Sequence, residues 1–548
     1  MTEQAPWWQA ATGYQIYPRS FCDLNGDGVG DLQGIASKLD YLVELGVDFI
    51  WLSPVYASPM ADNGYDISDY ENIAPVFGTR ADFETLLAQA SDRNIRIVMD
   101  LVVNHTSDQH RWFQSALAGV DAPYRDYYVW RAPAADGGPP NALESFFGGP
   151  AWSLDAASGQ YYLHLFDPRQ PDLNWANRAM RMDIYAMMNR WLDQGVAGFR
   201  MDVIDLIGKD PDALITADGP LLHDYLREMH ANALDGRDIV TVGEAWSATP
   251  DQAARYSGPD GTLSMVFQFE HVTAGWDAVK GKFKPKPLDW RVIKGVMDRW
   301  QGACQHSGWN SLFWSNHDLP RAVSKYGDDG RYRVESAKML ATVLHCLKGT
   351  PYVYQGEELG MTNAAFTRLD QFRDVETLNF HAILAREGVS EAEFLAGANA
   401  NGRDNARTPM QWSAAPGAGF SDSRPWIDLA GNHDRINAEA ALADPDSVFH
   451  HYRVLIALRK QLPVIREGHY VPVSPDSPQV WAYLRALGDA RLLVIANLTS
   501  DVVRFEVPEG LDMQGQLVSS NYPRAGVAQG VLALQPFEAF ALLEDPLS

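Results

Sequence analysis

Cysteine is scarce in this chain: Cys22, Cys304 and Cys346 are the only three among 548 residues. They form no Cys-x-x-Cys pair and no Cys/His cluster, which excludes a disulfide scaffold and a thiolate zinc site. Basic runs are also missing, and the net charge is −25, so nothing offers a polyanion an electrostatic footprint and a nucleic-acid role is excluded. No apolar stretch approaches the roughly 20 residues a membrane span needs. The first ten residues, MTEQAPWWQA, have neither a basic segment nor an apolar core and do not read as a secretory signal, so the expected compartment is the cytoplasm. There is no low-complexity tract. What is present is an ordinary globular composition, 46% hydrophobic and 21% charged, in a chain too long for one hydrophobic core. Two or three domains are expected.

Short apolar segments alternate with helical periodicity over most of the length. Candidate strands lie at 13–17 (GYQIY), 49–52 (FIWL), 95–103, 198–202 (GFRMD), 239–243, 265–269, 311–314 and 351–355. Apolar-periodic helices follow the first strand (Leu32, Ile35, Leu39, Leu42, Val43) and occupy about 80–93. Eight such βα units imply a parallel sheet closed into a (β/α)8 TIM barrel, an α/β fold with its working face at the carboxyl ends of the strands. Residues 105–174, rich in aromatics, Gly and Pro, read as a domain inserted after the third strand. From 468 to 548 the pattern becomes alternating short strands, an antiparallel β-domain. The barrel is thus expected over 1–104 and 175–467.

Several strand ends carry acids. In GFRMDVID, Arg200 and Asp202 are two apart and share one side of the pleat, so the guanidinium is expected to keep Asp202 ionised. Glu244 ends the fifth strand in an apolar setting, TVGEAW, which predicts a raised pKa. Asp318 ends SNHD at 315–318. Three carboxyls around one pocket must separate in pKa, and glycosidic-bond hydrolysis uses that separation: one carboxylate attacks while a protonated one donates to the leaving oxygen. His105 and His317, also at strand ends, are neutral donors suited to sugar hydroxyls.

With these residues in view, the sequence resembles the α-amylase family of glycoside hydrolases, within it the oligo-1,6-glucosidase and α-glucosidase branch. DLVVNH (100–105), QPDLNW (170–175), GFRMDVID (198–205), TVGEAW (241–246) and SNHD (315–318) carry the likeness, in the family's order, with DNGYDISDY (62–70), YQGEELGMTN (354–363) and RDNARTPMQW (403–412) beside them. The resemblance implies a retaining enzyme with Asp202 as nucleophile, Glu244 as general acid/base and Asp318 as the acid that grips the sugar hydroxyls. It places His105, Arg200 and His317 in the wall of the glucose subsite, Asp62, Tyr65 and Arg403 at its closed end, and Phe166 as an aromatic from the inserted domain. Such a pocket implies exo action on short oligosaccharides or disaccharides by a monomer or homodimer. Val203, after the nucleophile, accompanies α-1,6 preference among the resembling enzymes. Sucrose isomerases, glucosyl-transferring enzymes and trehalose-6-phosphate hydrolases share these segments. The isomerases' RLDRD stretch is matched only in part by Arg368-Leu369-Asp370-Gln371. Amino-acid-transporter heavy chains share the fold without the acids, all three of which are present here.

One further motif concerns a metal. Asp23, Asn25, Asp27 and Asp31 offer oxygens at alternating positions of a Gly-rich loop, a pattern suited to Ca²⁺. The twelfth position is Gly34 rather than Glu, so the loop is not an EF-hand. The resemblance implies a structural Ca²⁺ or Mg²⁺ here, with the Val29 carbonyl as an additional ligand.

Overall fold

The computed structural model describes residues 5–277, 281–511 and 513–544. Eight barrel strands follow in chain order: β1 (Gly13–Ile16), β2 (Phe49–Leu52), β3 (Arg96–Leu101), β4 (Gly198–Met201), β5 (Val240–Glu244), β6 (Met265–Phe267), β7 (Ser311–Leu312) and β8 (Thr350–Tyr354). They form one parallel sheet in the order β6-β5-β4-β3-β2-β1-β8-β7. A parallel bridge between Val266 and Asn310, with Ser311 Oγ donating to the Val266 carbonyl at 2.7 Å, joins β6 to β7 and closes the barrel. All eight expected strands are found, several shorter by one to three residues.

The alternation within each strand builds two cores. Phe49, Trp51, Val98, Val240, Val242, Met265 and Phe267 point inward and fill the barrel. Their neighbours Ile50, Leu52, Ile97, Met99, Phe199 and Met201 point outward against the helices. Gly13 has a definite reason: a Cβ there would meet the Phe49 ring at 2.5 Å. Helices start on side-chain caps. Thr79 and Asp82 form a capping box ahead of Arg80–Asp92, and Asn177 caps Arg178–Asp193.

Between β3 and β4 the chain leaves the barrel for a three-stranded antiparallel sheet, Trp130–Arg131, Gln160–Leu163 and Trp152–Asp155. A bridge between His105 and Asp172 pins its two ends together. After β8 comes a second excursion, which no pattern in the sequence marks as separate. Helices Val375–Arg386 and Glu391–Asn401 pack Phe380 and Phe394 against Phe283 of the strand Gly281–Pro285. It carries much of the site described below.

The antiparallel sheet at the C-terminal end orders its strands His469–Pro472, Val480–Leu487, Ala490–Asn497, Ala539–Glu544 and Gln516–Ser520. It docks on the barrel partly through a buried cation. Lys294, on helix Trp290–His306, donates its three ammonium protons to the carbonyls of Ser474 (2.7 Å), Ser477 (2.5 Å) and Val480 (2.9 Å). Among the described residues no helix is long and apolar enough to cross a membrane.

Lys294→Met would take the ammonium donor from the Ser474 and Ser477 carbonyls and leave the Val480 carbonyl with only the Ser474 hydroxyl (3.2 Å). Unsatisfied acceptors cost about 1–3 kcal/mol, so calorimetry of the variant should show the β-domain melting earlier than the barrel. A thermogram superimposable on the parent's would remove Lys294 from the joint.

Candidate active site

The site grows out of three adjacent strands. In register, Arg200 of β4 lies opposite Asp100 of β3 and Val242 of β5. Its fully buried guanidinium therefore meets carboxylates from both sides. Nη1 donates to Asp100 (2.9 and 3.1 Å) and to Asp202 (2.8 Å), and Nη2 donates to Glu244 (2.5 Å). Asp100 is further held by Trp51 Nε1 (3.0 Å) and the Tyr65 hydroxyl (2.9 Å), while burial pushes it up to about 6 against the pull of Arg200. Just past Asp202, Val203 adopts a left-handed backbone, φ 36° and ψ 46°. That region is strained for a β-branched residue. Its consequence is local: the Val203 N–H turns to donate to Glu244 at 3.0 Å.

This geometry corrects two expectations. Arg200 alone does not set Asp202. Burial raises Asp202 well above the usual carboxylate range; Arg200 opposes, and Glu244, Asp100 and Asp318 reinforce the rise. One guanidinium divided among three acids is too little charge for all of them. Nor is Glu244 walled by apolar groups: Trp246 turns its indole N–H to it at 2.9 Å, so Glu244 accepts from three donors. The strongly acidic member is Asp318. Burial would raise it, but His317, Arg403 and Arg407 together hold it far below the usual range. Burial brings the His317 ring down to about 3. At neutral pH the lasting positive charge is that of the arginines, with Arg407 Nη2 at 2.7 Å and Arg403 Nη1 at 3.3 Å.

A cavity of about 510 Å³ lies over these groups. Asp62, Tyr65, His105, Phe166, Asp202, Val203, Glu244, Asp318 and Arg403 all face it. Arg200 and His317 do not; they lie beneath the wall as supports. His317 is stacked on Tyr65 (5.1 Å between centroids, 7° between planes) and its Nδ1 meets Gln15 Nε2 at 2.8 Å. In the cavity wall Arg403 pairs with Asp62 (3.1 Å), and burial pushes Asp62 up to about 7 despite Arg403 and Arg407. Gln170 bridges Asp62 and His105 Nε2, each at 3.2 Å, and His105 is brought down to about 4 by burial. Phe166 leans on the His105 ring at 5.2 Å. The cavity is also lined by an ion pair, Lys282 with Glu376, and by the rings of Phe147, Trp246, Trp276 and Phe380.

Sequence reasoning missed Asp100, Gln170, Lys282, Asp374, Glu376 and Arg407 as site residues. Arg407 had a signal, since it lies four residues after Arg403 in one motif. Asp374 had none, although it is fully buried and holds Arg403 through Nε (2.9 Å) and Nη2 (2.6 Å).

The Asp23–Asp31 loop lies apart from the cavity and closes on itself. Asp23 accepts from the N–H groups of Gly26 (2.7 Å) and Gly28 (2.8 Å), and Asp31 from those of Leu24, Asn25 and Gly34. Asn25 and Asp27 accept from the N–H groups two residues on. Among the described residues no group of three or more His, Cys, Asp or Glu side chains is gathered as a metal cage.

Asp374→Asn should loosen Arg403 and raise KM for glucosides more than tenfold. Burial raises Asp374, but Arg403 and Arg407 hold it below the usual carboxylate range. A depressed folded-state pKa contributes stability above the unfolded pKa of about 4. The parent should therefore outlast the variant by a constant margin above about pH 4, and the margin should shrink below it. A margin that grows on acidification would contradict this pairing.

Comparison with known proteins agrees with the geometry. The alpha-amylase catalytic-domain family matches residues 15–468, and an alpha-amylase SusG C-terminal domain matches 480–540. The chain is 56% identical over 547 residues to a palatinase of Erwinia rhapontici, covering 99% of both chains. It is 49% identical to an oligo-1,6-glucosidase of Halalkalibacterium halodurans, covering 97% of this chain and 98% of the other. Among solved structures, an isomaltulose synthase of Erwinia rhapontici superposes with a TM-score of 0.96 at 40% identity, covering 99% of this chain and all of that one. With Asp202, Glu244 and Asp318 gathered in one barrel-mouth cavity, the chain belongs to the alpha-amylase family and is a glycoside hydrolase.

Proposed function

We propose that this hydrolase is a retaining, exo-acting α-glucosidase that releases glucose from the non-reducing end of short α-glucosides, α-1,6 linkages first and α-1,4 also. The observation that carries the reading is the charge cluster in the cavity wall: Arg403, tied to Asp62 and Asp318, lines the same cavity as Asp202 and Glu244 and offers polar groups to the hydroxyls of a terminal glucosyl unit. Val203 on the cavity wall supports the linkage preference, since a single pocket residue can shift such a choice by about 1–3 kcal/mol.

Asp202 attacks the anomeric carbon as Glu244 gives its proton to the leaving oxygen. A glucosyl ester forms on Asp202 and the glycosidic bond breaks. Glu244, now a base, takes a proton from water, which cleaves the ester and restores both acids with retention. The chemistry requires one proton on the Asp202–Glu244 pair, carried by Glu244 when the bond breaks. Two carboxylates on adjacent nitrogens of Arg200 form a pair that can hold it. Asp318 accepts from the glucose hydroxyls, and its bond to the 2-hydroxyl strengthens in the transition state.

One chain completes the cavity, which supports a monomer or a homodimer of independent sites. Three free, buried cysteines suit a reducing, cytoplasmic location. A second reading, isomerisation of sucrose or glucosyl transfer through the same intermediate, is favoured by the isomaltulose-synthase likeness. Against it, Arg368 and Asp370 pair with each other on the surface. A structural Ca²⁺ or Mg²⁺ on the 23–31 loop is supported by its oxygen-only donors and by the turns at Gly26 (φ 81°) and Gly28 (φ 89°).

Initial rates of glucose release from isomaltose, maltose, sucrose and trehalose decide the main reading. Isomaltose should be fastest, and Asp202→Ala should lose at least about 10⁴-fold. A rearranged disaccharide as chief product would favour the second reading, and full activity of the variant would sink the mechanism. For the metal, EDTA should lower the melting temperature and added Ca²⁺ restore it. An unmoved melting temperature would mean that the loop stands on its own hydrogen bonds.

A further inference from the structure

Two arginines that touch no common atom are exchanged between the segments on either side of Asp318. Arg407, in the helical turn Asp404–Arg407, reaches across to the 315–321 turn, where Nε donates to the His317 carbonyl (3.1 Å) and Nη2 to Asp318 (2.7 Å). Arg321 reaches back from the 315–321 turn. Its Nε donates to the Asn405 carbonyl (3.2 Å), and Nη2 donates to the carbonyl (3.2 Å) and hydroxyl (3.3 Å) of Thr408. Its Nη1 donates to the Gln355 carbonyl at 2.5 Å, which fixes the pair of segments to the end of β8.

Both guanidiniums are buried, at 1% exposure. They differ in their partners. Arg407 serves carboxylates, whereas Arg321 forms no ion pair among the described residues and spends its donors on neutral oxygens. Burying a guanidinium without a counter-ion is costly unless its geometry is used. The backbone makes room for it: a Cβ at Gly356, whose φ is 87°, would come within 2.9 Å of Arg321 Nη1. The fork is planar and its donors point in fixed directions, so it sets the distance between the two segments, as an ammonium on a flexible stem cannot.

We infer that Arg321 is a positioning residue for catalysis: with Arg407 it forms a reciprocal clamp that holds Asp318 where the glucose hydroxyls meet it in the transition state. The inference rests on the role given to Asp318 in the proposed function. Arg321 itself does not face the cavity. It acts through the backbone on either side of Arg407 and so through the pair Arg407–Asp318.

The test compares 4-nitrophenyl α-glucoside with its 2-deoxy analogue in the parent, Arg321→Lys and Asp318→Asn. Misplacing a catalytic group by about 1 Å costs on the order of 10²-fold. Arg321→Lys should therefore lose about that factor in kcat/KM on the glucoside, most of it in kcat. On the 2-deoxy substrate, which lacks the hydroxyl that a well-placed Asp318 would reward, it should lose only a few-fold. A general structural defect would slow both substrates equally, and that result, or no loss on either, overturns the inference. Asp318→Asn separates the two levels. If it retains the full 2-deoxy penalty, the role of Asp318 fails and the inference falls with it. If it abolishes the penalty while Arg321→Lys keeps it, the inference alone fails. Should Arg321→Lys not fold, Thr408→Val removes one acceptor of the clamp and should show the same selective loss, at two- to fivefold. Equal effects on both substrates would again overturn the inference.

Discussion

One guanidinium, that of Arg200, meets three carboxylates from three neighbouring strands, and the rest of the site is arranged around that shortage of positive charge. Buried ions are tolerated only when paired and hydrogen-bonded. Arg200 supplies every close cation to Asp100, Asp202 and Glu244. The surroundings supply the other donors: Trp51 and Tyr65 to Asp100, and the Val203 N–H and the Trp246 indole to Glu244. Asp202 receives the least, and burial raises its carboxyl well above the usual range, as it also raises Asp100. A retaining glycosidase has to give one proton to the leaving oxygen and recover one from water, and a carboxyl cluster short of cations keeps a proton available.

Asp318 is treated in the opposite way. Two arginines from beyond β8 converge on it, and their own geometry is maintained by Asp374, Asp62 and the carbonyls around them. A single cavity thus holds carboxyls that burial raises, Asp202 and Asp62, beside one held far below the usual range, Asp318. The separation of proton affinities expected among the acids is present between Asp202, which burial raises, and Asp318, which the arginines from beyond β8 hold down.

That excursion also shapes the pocket. A barrel mouth is open by construction, and its loops decide what fits. Here the inserted sheet contributes Phe166 and Gln170 from one side, and the post-β8 helices contribute Arg403 and Glu376 from the other. They meet at Asp62, which bonds to both.

The sequence by itself determined the architecture and the identities of the acids. Strand alternation and the strand-end motifs carry their own physics, since a period of two places Arg200 and Asp202 on one side whatever surrounds them. Val203 and Arg403 came from the family resemblance, whereas the same local logic found His105 and Asp318. It could not weigh charges that arrive from elsewhere. That Arg200 is divided among three acids depends on register between β3, β4 and β5, and that Trp246 offers an N–H rather than a ring face depends on its rotamer. Asp374 lies in a segment with no periodic signal, yet tertiary packing brings it against Arg403. Proton affinity in a buried site is a sum over neighbours in space, and only the folded chain decides who those neighbours are.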